Sequence, residues 1–262
     1  MQHDTGHLNI PSKQILGINI SVVDLPDLLQ AIDKLAQRSR PALVNNVNVH
    51  ACNLAFEQPA FREVLNASEV VFCDGFGVKL AGWLTGKRLG QRMTPPDWID
   101  DLFALCVRKG YSVYFLGDER AVVELFVDRM KANFPGLVVA GYQDGFFELS
   151  GEANQKIIKS INESGADIII TGMGMPRQEL WAAEAKPHLQ KGVVIAAGAL
   201  FRWYTGVEQR APKWMTDAGL EWLARLLVSP RRHFKRYVVG IPLFYWRVIR
   251  CHWFKIEGAN RG

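Results

Sequence analysis

The chain of 262 residues has only four cysteines, Cys52, Cys73, Cys106 and Cys251, with no C-x-x-C pair among them. That excludes a disulfide scaffold, argues against a structural zinc site and makes reduced, cytosolic thiols the default. No run of about 18 uninterrupted apolar residues occurs, so no ordinary membrane-spanning helix is expected. The longest candidate, Tyr237 to Trp246, is broken by Gly240 and Pro242. The first fourteen residues lack the basic start and apolar core of a secretory signal. No two aspartates are separated by a single residue. The D-x-D element that often holds a divalent cation on a nucleotide-sugar diphosphate is therefore missing, and no metal site is expected. A diphosphate would have to be met by Arg, Lys or helix N-termini.

What is present is a globular composition, 48% hydrophobic and 22% charged. Collagen-like, disordered and coiled-coil readings fall away. Charge is unevenly distributed. Residues 225–262 hold nine basic residues against the single acid Glu257, whereas residues 1–224 hold 22 basic and 25 acidic residues. A mildly acidic body with a strongly basic end points to an anionic membrane surface, a polyanion or a phosphate-bearing ligand.

Short Val- and Ile-rich runs alternate with amphipathic stretches. Strands are expected at Ile15–Ile20, Ala42–Val47, Val70–Cys73, Ser112–Leu116, Leu137–Ala140, Asp167–Thr171 and Val193–Ala197. Their lack of alternation fits strands buried on both faces. Helices are expected at Asp27–Gln37 behind a cap at Asp24, at Pro96–Arg108 before Gly110, and at Glu119–Asn133. This pattern predicts an α/β fold: a Rossmann-like, mostly parallel sheet with helices on both faces. Residues 1–211 are expected to form that domain. Residues 212–262 read as a helical, basic, membrane-associating appendage, and the body before Leu223 is expected to fold without it.

In such sheets ligands sit beyond the carboxyl ends of the strands. After Ala42–Val47, the run from Asn45 to His50 offers Asn46 and Asn48 to a polyhydroxylated ligand. One asparagine capping the next helix explains one amide and leaves two over. After Val70–Cys73, Asp74-Gly75-Phe76-Gly77 is either an ordinary turn or a carboxylate placed as a base. Gly117-Asp118 opens a helix whose N–H groups could hold a phosphate. Gly172-Met173-Gly174-Met175-Pro176-Arg177 begins like G-x-G-x-x-G and fails at its sixth position, so the dinucleotide fingerprint is absent. Its glycines and the polar pair Arg177 and Gln178 suit a phosphate or sugar contact or, equally, an exposed helix start. From Arg225 onward, Arg225, Arg232, Lys235, Arg236, Arg250 and Lys255 interleave with Tyr237, Trp246, Trp253 and Phe254. That mixture suits a membrane interface, and it also suits single-stranded nucleic acid. The acidic body would repel a polyanion, so the membrane reading stands first.

Four pieces, in order, resemble the WecG/TagA/CpsF bacterial glycosyltransferases. They are Asn48 followed by Asp74-Gly75-Phe76-Gly77, then Gly174-Met175-Pro176-Arg177-Gln178-Glu179, then Arg210-Ala211-Pro212, then Gly219-Leu220-Glu221-Trp222-Leu223 running into Arg225. The resemblance covers roughly residues 15–240. It implies an inverting transfer of a hexosyl or N-acetylhexosaminyl unit from a UDP-sugar to a polyprenyl-diphosphate-linked saccharide, at the inner face of the cytoplasmic membrane, in surface or exopolysaccharide biosynthesis. It implies Asp74 as general base, Asn48 and Gln178 in the pocket, and Arg225 and Arg232 at the diphosphate. A third such arginine falls on Lys235, with Arg236 beside it. Asn46 stands where members often have Thr. The segments Asn45–Ala51, Cys73–Val78 and Met93–Trp98 look most like the xanthan-type branch, which puts glucose first as the transferred sugar and an N-acetylmannosamine-type sugar second. No cofactor is implied beyond the UDP-sugar donor; nucleic acid is not an expected partner, and a homo-oligomer is allowed. The alternative class is a non-catalytic nucleic-acid- or nucleotide-binding α/β protein.

Overall fold

The computed structural model describes residues 8–253. The chain opens with β1 (Ser12–Ile15), β2 (Ile18–Ser21) and α1 (Leu25–Ala36). β3 (Ala42–Val47) leads through α2 (Val49–Glu57) and α3 (Pro59–Asn66) to β4 (Val70–Cys73). α4 (Phe76–Leu84) and α5 (Pro95–Lys109) precede β5 (Ser112–Gly117), and α6 (Arg120–Asn133) precedes β6 (Val138–Gln143). α7 (Gly151–Ser164), β7 (Ile168–Gly172), α8 (Arg177–Ala185) and β8 (Val193–Ala196) follow. Only helices come after them among the described residues: α9 (Leu200–Thr205), α10 (Lys213–Asp217), α11 (Glu221–Val228), α12 (Pro230–Phe234), a π-helical turn over Lys235–Val239, and α13 (Gly240–Trp253).

Six strands form one parallel sheet in the order β4-β3-β8-β7-β5-β6. Alternate residues feed opposite faces, as the two-residue strand period requires. Ile168, Ile170, Val193 and Ile195 pack with α1, α5, α6 and α9. Ile169 and Val194 face the other way, onto Trp181 of α8 and Ile157 of α7. Both faces are covered, so the strands carry no polar alternation.

The first expected strand divides. Ile15–Ile20 is a hairpin of β1 and β2, a separate two-stranded antiparallel sheet. Leu16 and Gly17 both take positive φ, 47° and 80°. Two such residues in a two-residue loop make the tight turn that reverses the chain. The expected caps form: Asp24 and Asp27 make a reciprocal capping box on α1, and Gly110 ends α5 in the left-handed conformation.

The C-terminal helical segment is tied to the body. Phe244 is fully buried and Val248 nearly so, in the cluster that holds Val47, Ala51, Val71 and Cys73. Arg247 is buried too. Its guanidinium donates to Asn53 Oδ1 at 3.0 Å and Glu57 Oε1 at 2.7 Å, and lies over the Phe56 ring. One basic residue of the C-terminal end therefore pins α13 to α2. A body ending at Leu223, expected to fold without this segment, would lack Phe244, Arg247 and Val248, which form one wall of the core. Among the described residues no helix is long and apolar enough to cross a membrane. Phe254 and Lys255 lie outside the described residues.

Candidate active site

Parallel strands send the loops after β3, β4, β7 and β8 to one edge of the sheet. There they meet α11, the π-helical turn and the start of α13 around a cavity of about 930 Å³. Its walls include Asn46, Asn48, Asp74, Thr94, Gly174, Glu221, Arg225, Lys235, Arg236 and Tyr237.

Asp74 leaves the tip of β4 and is held from two sides. Thr94 Oγ1 donates to Asp74 Oδ1 at 2.9 Å, and Asn48 Nδ2 reaches Oδ2 at 3.5 Å. Arg92 Nη1 donates in turn to Thr94 Oγ1 at 2.9 Å. The carboxylate is thus the end of a chain from Arg92 through Thr94. Burial pushes the Asp74 carboxyl above its ordinary range; the Thr94 hydrogen bond opposes this, Glu221 adds to it, and Asn48 and Arg225 oppose it. A half-buried carboxylate held at two oxygens, its basicity raised, is suited to accept a proton from a hydroxyl placed in the cavity.

The three asparagines divide their work. Asn45 is turned to Ser68 Oγ and is not a cavity wall. Asn46 donates to the Ala196 carbonyl at 2.7 Å, joining β3 to β8, and lines the cavity. Asn48 caps α2 through Ala51 N–H and turns its amide nitrogen to Asp74. Cap and site contact are therefore the same residue. His50 lines the cavity as well, its pKa pushed down to about 4 by burial and by the Arg236 cation.

Gln178, Arg177, Gly172 and Gly117, expected at the ligand, are not cavity walls. Gln178 is fully buried. Its Oε1 accepts from Gly174 N–H and Gly198 N–H, both at 3.2 Å, and its Nε2 donates to Glu179 Oε1 at 2.8 Å. It braces the two glycine loops that form one cavity wall. Glu179 is fully buried, and its Oε2 has no hydrogen-bond partner among the described residues. Burial pushes its pKa up to about 7. Arg177 turns to the loop after β6, donating to the Gly145 and Phe147 carbonyls. Gly117 and Gly172 are glycines because two strand tips meet there: a Cβ on Gly117 would sit 2.5 Å from the Gly172 backbone. The start of α6 is already supplied with negative charge, since Asp118 and Glu119 lie there and both pair with Arg202.

The basic residues are less uniform than their spacing suggests. Arg225 pairs with Glu221 at 2.8 Å, and its guanidinium carbon lies over Trp203, 4.1 Å from the ring centre. Lys235 and Arg236 line the cavity from the π-helical turn. Arg232 falls in α12, and its side chain lies outside what the structure describes. Sequence reasoning missed Arg92, Thr94 and Trp203 as site residues. Arg210 and Glu221 were noted only within longer motifs, and here Arg210 joins Asp97 at 2.6 Å and Glu221 at 3.8 Å. The signal for Thr94 was available in Met93-Thr94-Pro95, a polar residue fixed just before a helix start. Its contact with Asp74, twenty positions earlier, needed the fold.

The family model described as "Glycosyl transferase WecG/TagA/CpsF family" matches residues 13–258. The chain belongs to this glycosyltransferase family. Three curated relatives share one name, N-acetylglucosaminyldiphosphoundecaprenol N-acetyl-beta-D-mannosaminyltransferase. The one from Bacillus subtilis strain 168 is 27% identical over 95% of this chain and 92% of its own. The one from Bacillus spizizenii W23 is 30% identical over 75% of this chain and 74% of its own. The one from Staphylococcus aureus NCTC 8325 is 24% identical over 93% and 94%. The first and third alignments cover nearly the whole chain, and the family model runs through α13.

Proposed function

We propose that this glycosyltransferase moves an N-acetylhexosaminyl unit from a UDP-sugar to a polyprenyl-diphosphate-linked saccharide, with inversion and with Asp74 as general base. The observation that carries the reading is the pairing, in one cavity, of the half-buried Asp74 carboxylate with the cations Arg225, Lys235 and Arg236. The acceptor hydroxyl gives its proton to Asp74 as its oxygen bonds to the anomeric carbon. The bond from that carbon to the diphosphate breaks, and the leaving UDP takes the electron pair. A positioned base contributes roughly 10²–10⁴-fold to such a step. Fixed cations facing the diphosphates stabilise the developing charge most where water is excluded.

The relatives' shared name favours N-acetylmannosamine as the donor sugar, ahead of the glucose that the xanthan-like segments suggested. It equally favours an N-acetylglucosaminyl-diphospho-lipid as acceptor. A lipid acceptor brings the enzyme to the inner membrane face, where the exposed Trp246 and Trp253 and the basic C-terminal residues favour peripheral attachment. The test is incubation with a panel of UDP-sugars and a short-chain N-acetylglucosaminyl-diphospho-lipid, with mass spectrometry of the product. Transfer of N-acetylmannosamine with formation of UDP is the expected result. Turnover of UDP-glucose alone would overturn the sugar assignment, and no transfer from any UDP-sugar would overturn the reaction.

A further inference from the structure

The cavity has walls of three kinds. The strand-tip end holds Asn48, Asp74 and Thr94. Lys235 and Arg236 follow in the π-helical turn. Immediately after them in the chain, Val239, Ile241 and Leu243 line the cavity, facing it together with Leu54 of α2 and Leu80 of α4. Hydroxyl-handling, cationic and apolar side chains thus share one cavity, the cationic and apolar ones on adjoining stretches of chain.

The apolar end does not stop at the cavity. On α13, Leu243, Trp246, Ile249 and Trp253 fall within a strip of about 120° at 100° per residue. Leu243 lines the cavity, whereas Trp246, Ile249 and Trp253 are 54%, 47% and 61% exposed. The strip flanks the face carrying Phe244, Arg247 and Val248, so packing onto α2 leaves it uncovered. From Leu243 to Trp253 it runs for about 15 Å. Single exposed apolar residues are ordinary, but an aligned row continuous with an apolar cavity wall is not.

We propose that the Leu243–Trp246–Ile249–Trp253 face of α13 is the track along which the prenyl chain of the acceptor leaves the cavity. This rests on the acceptor reading above. The three kinds of wall match the three parts of such a substrate: saccharide hydroxyl, diphosphate, hydrocarbon. Burying the chain on the track removes apolar surface of both partners from water, and the gain grows with each unit covered. Arg250 falls within the same arc; its guanidinium lies 5.1 Å from the Trp246 ring centre, and its long stem adds apolar cover while its cation would face anionic headgroups.

A farnesyl diphosphate with a terminal diazirine tests this without requiring transfer. Photolysis with the full-length enzyme, followed by peptide mapping, should place adducts between Leu243 and Trp253. Trp246→Ser combined with Trp253→Ser should lower the adduct yield by about tenfold or more, on the scale of losing one aromatic contact. Trp214→Ser, an equally exposed tryptophan on α10, should leave the yield unchanged. Adducts mapping elsewhere, or a yield indifferent to the α13 substitutions, overturns the track. If those substitutions change the oligomeric state and not the yield, the face is a self-association surface and the proposal fails. In parallel, kcat/KM should rise from a short-chain to a long-chain acceptor, and the same double substitution should flatten that rise. Failure of the sugar panel with intact α13 labelling would count against the transfer reaction and leave the track standing.

Discussion

Thr94 donates its hydroxyl proton to Asp74 across 2.9 Å, and in doing so fixes which carboxylate oxygen faces the cavity. With Oδ1 so occupied, Oδ2, which only the longer Asn48 contact reaches, is the oxygen left for an incoming proton. Asp74→Asn should retain the fold and UDP binding while turnover falls by about 10²-fold or more, because the amide cannot accept the proton. Thr94→Val should be milder, costing about 1–2 kcal/mol of transition-state stabilisation through a misplaced base. Steady-state kinetics and calorimetric UDP binding on both variants check this; near wild-type turnover of the asparagine variant would sink the base assignment.

Glu179 should make stability fall with rising pH. Its folded pKa is about 7 against an ordinary 4.5. Below the lower value both states are protonated and there is no penalty. Between about 4.5 and 7 the unfolded chain ionises while the folded one does not, so the folded state loses ground, by on the order of 3 kcal/mol in all. Glu179→Gln keeps an acceptor for Gln178 Nε2 and cannot ionise. Melting temperatures from pH 4.5 to 8 should slope downward more steeply for the wild type than for this variant.

Arg225 stands between Glu221 and the Trp203 ring, a prepaired cation at the cavity wall. Arg225→Ala should lower kcat/KM by about 2–4 kcal/mol equivalent, as for loss of one oxyanion donor. Arg225→Lys should recover only part of this, because a lysine keeps the charge and loses the planar stack and fork. Full recovery would mean that only charge matters at that position.

Truncation after Leu223 should yield an aggregating or unfolded body. It removes Phe244 and Val248 from the core and leaves Asn53 and Glu57 without Arg247. Phe244→Ala alone should cost about 3–5 kcal/mol in denaturant unfolding. A soluble truncated body with cooperative unfolding would show that α13 is dispensable to the core.

Transfer should survive EDTA, since Arg225, Lys235 and Arg236 face the cavity where a D-x-D metal would otherwise be needed. Activity abolished by the chelator and restored by magnesium or manganese would refute it.

The sequence by itself determined the layers. Six of the seven Val- and Ile-rich runs became the covered parallel strands that their lack of alternation indicated, the seventh folding as a separate hairpin, and Asp24, Gly110 and the prolines marked helix ends through backbone chemistry that acts over a few residues. It also brought Asn48 and Asp74 to strand tips, because parallel strands put every such tip on one edge. What it could not determine was which polar residues at that edge face the cavity. Gln178 and Arg177 sit beside each other and beside Gly174, yet one reaches inward to brace two loops and the other reaches out to Gly145 and Phe147. Nor could spacing separate Arg247, buried against Asn53, from Arg225, at the cavity. Side-chain direction on a helix depends on what the helix packs against, and that is settled only when α2, α11 and α13 close on the sheet. The local code wrote the scaffold, and long-range packing assigned the charges their partners.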